Sequence, residues 1–107
     1  MVTELNPSEF LERRAAGAPM TLLDVREQWE LGVAPAPTPV VHIPLGQLAE
    51  RLRELNPQTE TVVLCRSGGR SLQAANFLAS SGFASVSNLS GGILAWSRDV
   101  DPSIAQY

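Results

Sequence analysis

Cys65-Arg66-Ser67-Gly68-Gly69-Arg70-Ser71 is the stretch whose residue types and spacing could do chemistry. Cys65, the one cysteine of the chain, follows the apolar run Val62-Val63-Leu64 and precedes a small-residue segment with helical spacing. The thiol therefore belongs at the turn from a buried strand into a helix. Two adjacent glycines let the backbone curl tightly, with positive φ available. A loop curled in this way turns successive N–H groups inward and makes an anion-binding nest. The helix that follows adds the partial positive charge of its N-terminus, and Arg66 and Arg70 add two full charges. Every one of these elements favours a negative group at Cys65 Sγ or just above it. A free thiol has a pKa of about 8.5 and is only a few per cent ionised at neutral pH. A drop of about 2 units would make most of it thiolate, roughly 25-fold more. Nucleophilicity falls with basicity along a Brønsted slope of about 0.4–0.5, so the net kinetic gain is modest. The larger expected effect is stabilisation of a bound anionic intermediate by prearranged N–H donors. A cysteine closing a strand is often only a small core residue. A merely structural one has no use for two glycines and two arginines this close by.

Composition removes most other chemistries. The net charge is −3 and the pI near 5.0, so the basic footprint of a nucleic-acid binder is missing. All eight basic residues are arginine, which excludes a Schiff-base lysine and a P-loop lysine. One cysteine excludes an internal disulfide and a multi-thiolate zinc or iron–sulfur site, and one histidine excludes a two-histidine metal site. No metal and no cofactor is implied. Apolar runs are too short for a membrane span, and the first residues lack the pattern of a secretory signal. The expectation is a cytoplasmic protein of 107 residues folded as a single domain over residues 1–107, large enough for a core without disulfides.

The elements that must position Cys65 follow from pattern. Asn6, Pro7 and Glu9 open a helix with a cap, a first-turn proline and a capping-box glutamate, and Gly17 ends it. Residues 21–25 read as a short buried strand, and 27–31 as a brief helix closed by Gly32. Alternating Pro35, Pro37 and Pro39 forbid helix or central strand, so 33–39 is expected to be an exposed, extended connection. Residues 40–43 resemble a second strand. Leu45, Leu48, Leu52 and Leu55 recur at helical spacing, which predicts a helix ended by Asn56-Pro57. Residues 61–64 are a strand covered on both faces, 70–81 a helix, 85–89 another strand, and Gly91-Gly92 opens a last helix through Trp96. Residues 99–107 show no pattern. Strands alternating with helices predict an α/β domain with a central, mostly parallel sheet flanked by helices on both faces, in three layers. In such sheets ligands bind beyond the carboxyl ends of the strands, where Cys65 lies.

The motifs in order resemble a known family. Leu22-Leu23-Asp24-Val25-Arg26-Glu27, the strand and loop from Val62 to Ser71, Gly82-Phe83, and Asn88-Leu89-Ser90-Gly91-Gly92-Ile93 with Ala95-Trp96 are similar to a single-domain rhodanese, a sulfurtransferase domain. The resemblance covers nearly the whole chain. It implies that Cys65 takes sulfane sulfur from a donor such as thiosulfate, forms a persulfide and passes the sulfur to cyanide or another thiol. It also implies that Arg66, Ser67, Gly68, Gly69, Arg70 and Ser71 cradle the anion. Related phosphatases carry Cys-x5-Arg, which gives room for phosphate, and a histidine directly before the cysteine. The loop here is the shorter Cys-x4-Arg, and Leu64 stands in place of that histidine, so sulfur transfer is favoured. The family's compact Gly-His-Ile-Pro-Gly-Ala turn is replaced by the longer, proline-rich 33–41 segment without its histidine, an insertion expected on the surface.

Asp24 and Arg26 match the family's Asp-x-Arg. Asp24 braces the active-site arginine or loop through charge-assisted hydrogen bonds, or the two residues pair and anchor the strand end to the next helix, and the two roles are compatible. His42 is expected to be a partly buried structural histidine, because a low-pKa cysteine needs no base. Trp29 and Trp96 are expected in the core. Glu9, Glu12, Arg13 and Arg14 are expected on a solvated helix face, as are residues 50–54. Arg66 is expected to be exposed and to attract anionic donors, with Arg70 tied into the fold. The partners implied are a small-molecule sulfur donor and acceptor, with a protein donor or acceptor as the alternative; no nucleic acid or membrane is implied. Gly91-Gly92-Ile93-Leu94-Ala95-Trp96 and the Asp101-Pro102-Ser103 segment through Tyr107 resemble the ends of rhodanese domains in protein-to-protein sulfur delivery. A non-catalytic interaction module on this fold is disfavoured by the intact Cys65.

Overall fold

Buried aliphatic runs alternating with helical segments build a five-stranded, all-parallel sheet, seen in a computed structural model that describes residues 2–107. In chain order the elements are β1 (Val2–Leu5), α1 (Pro7–Ala15), β2 (Met20–Asp24), α2 (Gln28–Val33) and β3 (Val41–His42). Two 3-10 segments (Leu45–Gln47 and Ala49–Glu54) lead to β4 (Glu60–Leu64), α3 (Gly69–Ser80), β5 (Val86–Leu89) and α4 (Gly92–Asp99). The strand order is β1-β5-β4-β2-β3, which puts β4 in the middle. A strand covered on both faces needs apolar or satisfied side chains at successive positions, and Thr61, Val62, Val63 and Leu64 are all buried. Successive side chains point to opposite faces. Leu23, Val63 and Cys65 thus join one core with Ala74, Ala75 and Leu78 of α3. Leu22, Val62 and Leu64 join the other with Phe10 of α1 and with Ile93 and Trp96 of α4. The α/β architecture with helices on both faces of a parallel sheet is the one the sequence predicts.

Several elements depart from expectation. β1 has no counterpart in the sequence reading: it is a four-residue edge strand with Thr3 and Glu4 exposed, and it pairs with β5. No α-helix spans 45–55. The chain forms two 3-10 segments broken at Arg51 (φ −115°, ψ 15°). A 3-10 turn aligns residues three apart, and Leu45, Leu48, Leu52 and Leu55 all join the same core across the kink. α2 runs through Gly32 to Val33 rather than stopping at the glycine. Trp29 is not a core residue: it is 64% exposed, edge-on to Tyr107 at 6.0 Å between ring centroids.

The proline-rich connection is held down rather than loose. Ala34 is fully buried, and Arg14 of α1 donates to the carbonyls of Pro37 (3.5 Å), Thr38 (3.2 Å) and Pro39 (2.6 Å). Arg14 is therefore an anchor, whereas Arg13 stays exposed on the solvated face and pairs there with Glu60 of β4. Asn6 and Glu9 form the expected capping box, at 2.8 and 2.9 Å. After α4 the chain folds back, with Val100, Ile104 and Tyr107 packed against the second core.

Candidate active site

β4 and β2 lie side by side with Leu64 opposite Asp24, so the loops that follow them leave the sheet together. The chain passes from β2 outward to β3 and then back across β2 to β4, so this is the point where strand order reverses. Cys65 is the first residue beyond β4 and is 1% exposed. Gly68 caps α3 with φ 112°, a left-handed conformation that favours glycine, and this turns its N–H back onto Cys65 Sγ at 3.1 Å. Ser71 Oγ in the first turn of α3 lies 3.2 Å from Sγ. Burial pushes the thiol pKa up. Hydrogen bonding at the loop, with Ser71, Gly68 and Ser67, outweighs that, and the pKa falls below its ordinary value.

The loop is gripped from behind by the start of α4. Ile93 N–H donates to Cys65 O at 2.9 Å and Leu94 N–H to Arg66 O at 3.1 Å. This contact requires Gly92, at φ 60°, because a Cβ there would sit 2.5 Å from both carbonyl oxygens. With their carbonyls turned toward α4, the peptide units of Cys65 and Arg66 are fixed in the orientation the nest needs.

Arg70 forms a fork-to-fork pair with Glu30 of α2 at 2.7 and 2.8 Å. Glu30 is 3% exposed and also accepts from Tyr107 Oη and from Glu27 N–H, each at 2.8 Å. The Arg70 guanidinium is the chief reason that its carboxyl pKa drops to about 2, against the opposing effect of burial; the Glu27 N–H and Tyr107 hydroxyl assist. Glu30 in turn raises the Arg70 pKa. Arg66 is exposed, but its guanidinium is engaged by the main-chain oxygen of Tyr107 and lies 5.2 Å from that ring's centroid. Residues 99–107 thus close over the side of the loop. A cavity of about 650 Å³ opens on the other side of Arg70, walled by Leu45, Leu48, Ala49, Gln73 and Phe77.

The side-chain contacts of Asp24 run to Arg26. Its carboxylate faces Arg26, with contacts of 2.8 to 3.1 Å, and Arg26 reaches on to Ala34 O at 2.8 Å and Tyr107 Oη at 3.0 Å. Both side chains are fully buried. The pair anchors the end of β2 to the end of α2 and does not touch Arg70; Glu30 occupies that role. His42 Nε2 is 2.6 Å from Arg26 O, in a half-buried position. Sequence reasoning missed Glu30, Asn88, Gly92 and Tyr107. Only the Gly91-Gly92 pair carried a local signal.

The site is thus one buried thiol at the end of the central strand of a parallel α/β sheet, with backbone N–H groups turned toward it. The Rhodanese-like domain family matches residues 6–99, and the chain belongs to it. It is 33% identical over 105 residues to a sulfurtransferase of Allochromatium vinosum, covering 98% of this chain and 97% of that one. It is 49% identical over 90 residues to a chloroplastic rhodanese-like/PpiC domain-containing protein of Arabidopsis thaliana, covering 80% of this chain but only 30% of that longer one. Identity to a putative sulfur carrier protein of Bacillus subtilis is 37%, covering 89% of this chain and 51% of that one. A rhodanese-related protein of Thermoplasma volcanium superposes with a TM-score of 0.83 at 28% identity, over 98% of this chain and 99% of that one. Sulfur transfer is the general chemistry these relatives support.

Proposed function

We propose that this domain is a thiosulfate-type sulfurtransferase with Cys65 as nucleophile and persulfide carrier. The observation that carries the reading is the Gly68 N–H aimed at Sγ from 3.1 Å inside a Cys-x4-Arg loop. The Cys65 thiolate attacks the outer sulfur of thiosulfate. A new S–S bond forms at Sγ, the old one breaks, and sulfite leaves with the bonding pair. The persulfide's outer sulfur then carries the negative charge, and the N–H groups of Arg66 to Arg70 with the α3 N-terminus are the donors that stabilise it. Attack by cyanide or a thiolate on that outer sulfur returns Cys65 as thiolate. Arg70, held by Glu30, fixes the start of α3. A reduced thiol fits the cytoplasm, where such groups persist.

The test is intact mass after incubation with thiosulfate, on wild type and on Cys65→Ala, followed by cyanide. A gain of one sulfur on wild type alone, removed by cyanide, is the expected result. A gain from a cysteine desulfurase but not from thiosulfate would move the assignment to protein-to-protein carriage. The similarity to a sulfur carrier protein and the exposed Trp29 beside Tyr107 favour that second reading. No gain from either donor would leave only an interaction module.

A further inference from the structure

Ser71 Oγ stands 3.2 Å from Cys65 Sγ and 2.5 Å from Asn88 Oδ1. A serine hydroxyl has one proton, so it cannot donate to both at once. The Asn88 amide cannot yield by turning over. Its Nδ2 is ringed by three acceptor oxygens: both carboxylate oxygens of Glu4 at 3.2 Å and the Gly68 carbonyl at 3.3 Å. A reversed amide would aim Oδ1 at all three. Ser90 Oγ holds the Glu4 carboxylate in place at 2.7 Å, and Asn88 is 3% exposed, so water has little access to stand in for a lost partner.

The bookkeeping differs between the states of Cys65. As a thiol, Sγ–H donates to Ser71 and Ser71 donates to Asn88, and every group is satisfied. As a thiolate, Sγ calls for the Ser71 proton. Giving it leaves Ser71 Oγ and Asn88 Oδ1 facing each other as two acceptors. As a persulfide, Sγ carries neither proton nor charge, the charge lies on the outer sulfur, and Ser71 returns to Asn88. We propose that Asn88, oriented by Glu4, is a positioning residue that competes with the Cys65 thiolate for the single proton of Ser71. The unloaded thiolate is thereby the less satisfied and more nucleophilic state, and sulfur loading relieves it. The proposal rests on Cys65 as the sulfur-accepting nucleophile.

The other charged groups around the loop are Arg66, Arg70 with Glu30, and the Asp24–Arg26 pair. They act on Cys65 by charge and not through Ser71, so a double-mutant cycle on Ser71 separates them from the network. Because the chain has one cysteine, ultraviolet absorbance of the thiolate against pH titrates Cys65 directly. Wild type, Asn88→Leu, Ser71→Ala and the double variant are compared, with circular dichroism confirming the fold. Asn88→Leu frees Ser71 to donate to sulfur and is expected to lower the Cys65 pKa by about one unit. Alkylation of the fully formed thiolate should then slow about threefold. In the Ser71→Ala background the same substitution is expected to do nothing. An unchanged or raised pKa in folded Asn88→Leu, or an equal shift in both backgrounds, would overturn the proposal. If Asn88→Leu does not fold, Glu4→Ala on the exposed edge strand unlocks the amide instead. The part of its shift that passes through Ser71 must vanish with Ser71→Ala, whereas a pure charge effect survives and refutes the idea. The titration needs no sulfur donor, so failure of sulfur loading and failure of this network are read separately.

Discussion

Glu30→Gln tests whether the Arg70 clamp is the ionic support of the loop. Glu30 accepts two hydrogen bonds from Arg70 and is almost fully buried. Its folded pKa is about 2 against an ordinary 4.5. A depressed carboxylate contributes stability that is fully present above its unfolded pKa and is lost as pH falls through the folded one. The window therefore runs from about pH 4.5 down to about pH 2. At about 1.4 kcal/mol per pKa unit the shift corresponds to roughly 3 kcal/mol. The Arg70 side chain is 37% exposed, so solvent screens the pair and about 2 kcal/mol is the better expectation. Glutamine keeps the shape and an acceptor oxygen but loses the charge. Urea unfolding of both proteins should show a gap of about 2 kcal/mol near pH 7, roughly a 10 °C drop in Tm for a domain of this size. The gap should stay flat down to about pH 5 and then close as the wild-type carboxyl is protonated. Other titrating groups are common to both proteins and cancel in the difference. A gap that persists unchanged from about pH 7 to about pH 3 would refute the ionic account and leave only packing.

Three further substitutions probe the supports separately. Gly92→Ala drives a Cβ against the carbonyls of Cys65 and Arg66 at a left-handed backbone; it should cost about 2–5 kcal/mol in chemical denaturation and slow persulfide formation in whatever remains folded. Asp24→Ala leaves the Arg26 charge buried without its partner and should cost about 3–5 kcal/mol, while alkylation of Cys65 per folded molecule stays near wild type, because Asp24 does not touch the loop. Tyr107→Phe removes the hydroxyl shared by Glu30 and Arg26 and should lower stability by about 1–2 kcal/mol, measured as a lower Tm; an unchanged Tm would mean that the last residues do not brace the site.

The parts of the fold legible in the sequence are those whose signal is local. The continuous apolar run of β4, the capping box of α1 and the glycines at 68 and 69 each carry their own explanation within a few residues. β1 was not legible, because an edge strand with two exposed residues in four has neither alternation nor a buried run, and its place is set by pairing with β5. The leucines at 45, 48, 52 and 55 suit two periods at once. Spacings of three, four and three fit an α-helix, and they fit two 3-10 turns across a kink equally well.

The site divides along the same line. Cys65, Gly68 and Ser71 lie within one short stretch, and the chemistry of a strand-to-helix loop can be read from them directly. The groups that tune the loop come from four other places in the chain: Glu30 from α2, Asn88 from β5, Gly92 from α4 and Tyr107 from the segment beyond it. None has a distinctive neighbourhood except the glycine. The Asp24–Arg26 pair shows why proximity in sequence misleads here. A carboxylate two residues from an arginine at a strand end looks like direct support for the cysteine loop, yet both side chains turn inward and bond each other. A parallel sheet brings the ends of β2 and β4 together while α2, α3 and the last residues converge above them. A carboxylate on any of these elements could have faced Arg70, and burial selects the one whose remaining lone pairs are also met. Glu30, with the Glu27 N–H and the Tyr107 hydroxyl at hand, meets that condition.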